Sequence, residues 1–283
     1  MLSGFTRYDT SLNVLALVGG HPFDRNAFAA MFDSMAGISV TFVDHPAAQT
    51  FYRPETFLHY QALLLYDVPG IDLYQGVTKQ SPEIYPLSPE HRRGLHSLLE
   101  TGIGVVALHH AIAGWQDWDD YAHYLGGRFQ YLSGQLDGRQ ITDSGYRRNV
   151  KYDIQTLSHP VSEGIEGSFS LIDELYLYEV FDEEVVPIAR ANHTFTDNNF
   201  YSAESALKKG LLDSNDNWHH PQGSNLLAWA KPAVKSPLVY IQPGDDARTF
   251  SNTNYRKLVE NALHWVVSDD ARCWASQQAT EEE

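Results

Sequence analysis

The sequence predicts an α/β fold built on a mainly parallel sheet, and three observations carry that prediction. Short strand-like runs alternate with helix-like periodicity along the first 110 residues, the order expected of βα units. Two of the runs, Ala62-Leu63-Leu64-Leu65-Tyr66 and Ile103–Leu108, are apolar throughout, as strands covered on both faces are. The runs end in Gly-Gly-His, Tyr-Asp and His-His, which places polar groups at strand C-terminal ends, where open α/β sheets bind ligands.

The elements follow in order. Asn13–Val18 is a strand closed by Gly19-Gly20. Asp24 can cap a helix whose apolar residues Phe28, Met31, Phe32 and Met35 share one face, with Gly37 as its stop. Ile38–Val43 is β-branched and reads as a strand, followed by the Ala62–Tyr66 strand. Ser88-Pro89-Glu90 opens a helix through Leu95, Leu98 and Leu99 that stops at Gly102. Residues 115–147 and 191–224 lack clean periodicity. Between and after them, strands are expected at Asn149–Gln155, Leu171–Glu179, Val185–Ala189, Asn225–Ala230 and Leu238–Gln242. Tyr255, Leu258, Val259, Ala262, Leu263 and Val266 recur at helical spacing and define the last helix. No repeat or low-complexity linker appears. The expectation is one domain over residues 1–283 with insertions: a core at about 12–268 and an acidic tail at 270–283, whose end Glu281-Glu282-Glu283 reads as frayed and solvated.

Composition narrows the function. The 283 residues carry 20 Lys plus Arg against 36 Asp plus Glu, a formal charge of −16. That balance repels phosphate backbones and argues against a nucleic-acid partner. The first apolar run, Val14–Val18, is too short for a secretory core or a membrane span. A cytoplasmic protein without a membrane partner is expected, with a homo-oligomer left open. Cys273 is the one cysteine, so no internal disulfide and no multi-cysteine cluster can form, while there are thirteen histidines. Chemistry, if any, falls to histidine and carboxylate.

Four segments could carry it. Gly19-Gly20-His21 lets backbone N–H groups approach a ligand just before a helix N-terminus, although a tight turn explains the glycines equally well. His109-His110 ends a strand. Neighbouring residues of a persisting strand face opposite ways, so one of the pair is expected at the site as metal ligand or general base, and the other buried. Asp173-Glu174 is a carboxylate pair among apolar residues, costly to bury unless paired or metal-bound. Gln242-Pro243-Gly244-Asp245-Asp246 follows the last strand, where an ordinary turn is the competing reading. Tyr66 and Asp67 can line a site. Trp115, Trp118, Tyr121 and Tyr124 can stack on a sugar ring, but their helix-like spacing favours packing. G-x-G-x-x-G, P-loop, G-x-S-x-G and H-E-x-x-H patterns are absent, so no nucleotide cofactor is expected.

Gly19-Gly20-His21-Pro22-Phe23, Leu108-His109-His110-Ala111-Ile112, Tyr124–Phe129, His159-Pro160-Val161, Asp173-Glu174-Leu175-Tyr176, Leu227–Pro232 and Val239–Gly244, in that order over residues 12–268, resemble the ThuA-like, or trehalose-utilisation, family. The resemblance implies a class I glutamine amidotransferase-like fold, a flavodoxin-like three-layer sandwich with a mostly parallel central sheet. In amidotransferase relatives a cysteine nucleophile occupies the turn after a central strand. Here that turn is His109-His110 and Cys273 lies beyond the last helix, so a glutaminase is not expected. The family pattern carries Gly-His-Asp after the last strand, whereas this chain has Gly244-Asp245-Asp246.

The resemblance implies a role in disaccharide or keto-sugar metabolism. The expected enzyme is a sugar-modifying hydrolase, lyase or isomerase. Its catalytic residues are His109, His110 and Glu174; Gly19, Gly20, Tyr66, Asp67, Trp115 and Asp245 bind substrate; and His21, His109 and Glu174 hold a divalent metal, zinc first. A His/Glu pair could also move a proton without metal. The alternative is a non-catalytic carbohydrate-binding or regulatory module on a scaffold that has lost its nucleophile.

Overall fold

The computed structural model describes residues 12–73, 82–165 and 167–281. Strands β1 (Leu12–Gly19), β2 (Ile38–Asp44), β3 (Ala62–Asp67) and β4 (Gly104–Leu108) alternate with helices α1 (Arg25–Asp33) and α2 (Pro89–Glu100). Asp24 caps α1 by accepting from the Ala27 N–H, and Ser88 caps α2 by accepting from the His91 N–H. Helix α1 closes at Ser34, earlier than the Gly37 stop; Met35 lies past its end and is still buried.

The central region holds α3 (Asp119–Leu125), β5 (Gly127–Arg128), the β6–β7 hairpin (Gly134–Leu136, Arg139–Ile141), β8 (Gly145–Thr156), β9 (Ser168–Leu177), β10 (Glu179–Val180), β11 (Val186–Ala191), β12 (Tyr201–Ser202) and α4 (Ala203–Lys209). The chain then forms β13 (Leu226–Ala233), β14 (Ser236–Ile241), α5 (Ala247–Ser251), α6 (Thr253–Val266) and α7 (Asp269–Glu281).

The parallel core has the order β2-β1-β3-β4-β14. Counting only those five strands this is 2-1-3-4-5, the flavodoxin-like doubly wound order. The fold is thus the expected α/β sandwich. What the sequence did not show is how the later strands pair beyond β14. There β13, β11 and β8 continue the sheet antiparallel, and β9 and β12 pair with β8.

The two faces have separate cores. Along β1, Val14, Ala16 and Val18 pack with α1 and α6, whereas Leu15 and Leu17 pack with α2 and α3, as period-two alternation requires. Most of the segment expected as an acidic tail is helical. Residues 269–281 form helix α7, which packs on β13 and β14 and buries Ala271 and Ala275. Small apolar residues four apart make one stripe on that helix. Among the described residues no helix is long and apolar enough to cross a membrane.

Because β1, β3, β4 and β14 run parallel, their C-terminal ends open on one edge of the sheet. Gly19, Asp67, His109 and Gln242 therefore emerge side by side. Strand β9 brings Asp173, Glu174 and Tyr176 to the same edge.

Candidate active site

The turn after β4 sets the site. His109 adopts φ +46°, a left-handed conformation that costs a non-glycine residue about 1–2 kcal/mol. The strand stops there and a 3-10 turn, His109–Ala113, begins. The expectation that one histidine would face away rested on strand alternation. The left-handed turn breaks that alternation, and both rings reach the site with centroids 4.1 Å apart. A strained backbone of this kind is typical of functional turns.

Four side chains converge on this point. Ligating atoms of His109, His110, Glu174 and Asp245 all lie within 4.8 Å of one another. His109 Nε2 is 3.4 Å from Glu174 Oε2 and 3.6 Å from Asp245 Oδ1. Ligands about 2.1 Å from a tetrahedral ion sit roughly 3.4 Å apart, so these separations suit a small divalent cation. His109 Nδ1 donates to the Gln242 carbonyl at 2.6 Å, which leaves Nε2 as the atom aimed at the carboxylates. A histidine anchored through one nitrogen to a backbone carbonyl is oriented as metal-binding histidines are.

The electrostatics agree with a cation-binding position. Burial by itself would lower the His109 pKa, but hydrogen bonds and charge from Asp245 and Glu174 outweigh it and raise the value to about 10. Burial also opposes ionisation of Asp245, yet its contact with His109 holds its carboxyl below the usual range. The two acids therefore favour one positive charge between them, carried by a proton on His109 or by an ion in its place. Burial, together with the neighbouring His21 and His109, keeps His110 neutral by lowering its pKa well below normal.

A layer of side chains fixes these four. Asp173, almost fully buried, accepts from the backbone N–H groups of Glu174 at 2.9 Å, Gly244 at 2.8 Å and Asp245 at 3.2 Å. It ties the carboxylate-bearing strand β9 to the turn after β14. Burial pushes its pKa up to about 6, against the lowering pull of His109 and the backbone donors. The Tyr66 hydroxyl donates to the Gly244 carbonyl, Tyr255 to Pro243 and Tyr240 to His109. The Tyr176 hydroxyl lies 3.0 Å from His109 Nε2 and 3.4 Å from His110 Nδ1, bridging both rings.

The remaining predicted residues take other places. His21 is outside the four-residue cluster. Its ring stacks on His110 at a centroid distance of 3.8 Å, so it presents a face to its neighbour, and Asp245 completes the cluster instead. Burial, with His109 nearby, lowers the His21 pKa to about 4. Gly19 and Gly20 form a left-handed turn; a Cβ on Gly20 would stand 2.2 Å from the Val68 carbonyl oxygen. Asp67 is buried and paired with His45 Nε2 at 2.6 Å, and is not one of the four converging side chains. Trp115 is 2% exposed and donates Nε1 to the Tyr52 hydroxyl at 3.3 Å, while Trp118 and Tyr121 are buried in the same core. These aromatics pack, as their spacing favoured.

The cluster opens into a cavity of about 820 Å³ lined by His110, Glu174 and Tyr176 together with Phe129, Tyr131 and Tyr146. Glu174 and Tyr176, two apart on β9, share the face that lines it. The aromatic wall is therefore not the 115–124 segment but residues from β8, β9 and the segment after β5. Tyr176 sat inside a quoted motif, whereas nothing in the sequence around Tyr131 or Tyr146 marks them apart from other tyrosines.

The comparisons with known proteins concern the whole chain. The family described as trehalose utilisation, ThuA, matches residues 16–266. A ThuA-like protein from Parabacteroides merdae ATCC 43184 superposes with a TM-score of 0.61 at 14% identity, covering 91% of this chain and 90% of its own. One from Bacteroides uniformis ATCC 8492 gives 0.59 at 15% identity, with 91% and 92% coverage. A protein from Salmonella typhimurium LT2, described as cytoplasmic, gives 0.52 at 11% identity, with 90% and 99% coverage. At these identities the structural likeness speaks to fold alone. No curated protein matches the sequence. With 16–266 matched out of 283 residues, the chain belongs to the ThuA, or trehalose-utilisation, family.

Proposed function

We propose that this protein is an enzyme acting on a disaccharide or keto-sugar, with a divalent ion, zinc first, held by His109, His110, Glu174 and Asp245. One observation carries the reading: two histidines and two carboxylates converge within 4.8 Å at the edge where the parallel strands end, beside a large aromatic-lined cavity. Mixed nitrogen and oxygen ligands of this kind suit zinc and other first-row divalent ions. Bound there, an ion would polarise a sugar carbonyl or activate water.

The side chains supply the rest. Tyr131 and Tyr146 offer rings for the apolar faces of a sugar, and the buried Phe129 backs Tyr131. Tyr176, bonded to both histidines, is placed to pass a proton between the cluster and a substrate in the cavity. His21, neutral and stacked on His110, holds that ring in place without competing for the charge. Proton movement next to a carbonyl serves isomerisation or elimination; activated water serves hydrolysis.

The test is metal analysis of the purified protein followed by assays on keto-disaccharides. The wild type is expected to hold about one ion per chain and to turn over substrate, and His109→Ala to lose both. Equal turnover by the two proteins removes the assignment. Tight sugar binding without turnover by the wild type would instead make the chain a carbohydrate-binding module.

A further inference from the structure

The cavity reverses the charge of the protein around it. Over the whole chain acids outnumber bases 36 to 20. Among the described residues lining the cavity there are three bases, Arg148, Lys208 and Lys209, and one acid, Glu174. Burial separates them by depth. Glu174 is 8% exposed and belongs to the cluster at the floor. The Arg148 side chain is 47% exposed, and both lysines are exposed at the rim, at the end of α4.

Local partners do not exhaust these cations. Lys208 is held at 2.7 Å by Glu204 one turn earlier, an ordinary helix pair. Among the described residues Arg148 has the well-exposed Asp213 as its one ion-pair partner, at 3.7 Å, and leans over the Tyr146 ring with its guanidinium 5.8 Å from the centroid. A planar guanidinium beside a sugar-stacking ring is suited to bidentate capture of a carboxylate or phosphate.

Resting on the sugar-enzyme reading above, we propose that the substrate carries an anionic group, a carboxylate or a phosphate, and that Arg148 and Lys209 bind it at the cavity rim while the sugar carbon to be transformed lies at the His109 cluster. The neutral part of the molecule would lie against Tyr131 and Tyr146, between the two ends. A large negative protein would otherwise repel such a ligand; the basic rim offsets that field where the ligand enters.

The test compares binding of three matched disaccharides to the full chain by calorimetry: trehalose, its 6-phosphate and its 6-carboxylate. Inorganic phosphate alone serves as the anion control. Two partly exposed cations should give the charged sugars a preference on the order of tenfold, falling as salt is raised. The double variant Arg148→Gln, Lys209→Gln should bring the ratio of anionic to neutral affinity close to one. Preference for only one charged sugar identifies whether carboxylate or phosphate is the natural group. Equal binding of neutral and charged sugars, or a preference that survives in the double variant, overturns the inference and leaves the sugar reading standing. Failure of all three sugars to bind overturns both.

Discussion

Asp173 is the residue on which the candidate site most depends without touching its contents. Its carboxylate accepts three backbone N–H groups, those of Glu174, Gly244 and Asp245, at 2.8 to 3.2 Å. Two of those residues carry carboxylates of the cluster. In Asp173→Ala all three donors lose their acceptor. At about 1–3 kcal/mol for each unsatisfied buried group, the cost is roughly 3–9 kcal/mol, a large share of a typical domain's 5–15. Asp173→Asn is the sharper probe. Its carbonyl oxygen can keep the Glu174 and Asp245 bonds, but its amide would face the Gly244 N–H donor to donor. One bond lost predicts about 1–3 kcal/mol. Because the turn carrying Asp245 is then loosened, metal affinity should fall on the order of 10–100-fold, as for other residues that orient ligands. Urea unfolding of metal-free protein reads the first effect. Competition with a chromophoric chelator, at a temperature where circular dichroism shows the variant folded, reads the second. An Asn variant with the wild-type unfolding midpoint and unchanged metal affinity would refute this account of Asp173.

Further outcomes follow from other parts of the fold. Gly20→Ala should cost at least about 3 kcal/mol in chemical denaturation, because it adds a left-handed penalty to a Cβ 2.2 Å from the Val68 carbonyl oxygen; a near-neutral variant would show that the turn can move. Trp115→Ala should destabilise by about 3–5 kcal/mol, whereas Trp115→Phe should leave sugar affinity unchanged, since the ring is buried and bonded to Tyr52; weakened sugar binding by the Phe variant would put Trp115 back in the binding surface. His159, packed against Trp265, has its pKa lowered by burial to about 4 from an unfolded value near 6.5. The unfolded chain therefore binds the extra proton first, and the His159 contribution is full above about pH 6.5 and is lost as pH falls towards 4. An NMR titration of the His159 ring should show the low midpoint, and His159→Gln should flatten that part of the stability profile; a midpoint near 6.5 would contradict it.

Local signals explain what could be read in advance. The capped helices after Asp24 and Ser88, the buried runs of β3 and β4 and the apolar stripe of α6 each depend on neighbours within a few residues, and they appear in the sequence as in the structure. The strands of the antiparallel wing were legible one by one, but not their order, because β11 joins β8 to β13 across tens of residues and that choice of partner leaves little local trace. At the site, the segments around His109, Glu174 and Asp245 stood out by residue type. Their assembly did not. It depends on one left-handed residue, His109, which turns two histidines to the same side, and on Asp173 drawing β9 to the turn after β14. His21 lies beside the cluster for a related reason: proximity is visible from strand order, but the stacking of its ring on His110 is set by packing. The length of α7 was hidden by its polar composition, since Ala271 and Ala275 bury little surface each.

The most direct measurement is anomalous diffraction at the zinc absorption edge from crystals grown with zinc. The account predicts one strong peak with His109 Nε2, a His110 ring nitrogen and carboxylate oxygens of Glu174 and Asp245 about 2.0–2.2 Å away. No peak between those four side chains, or a peak held by other residues, would contradict it.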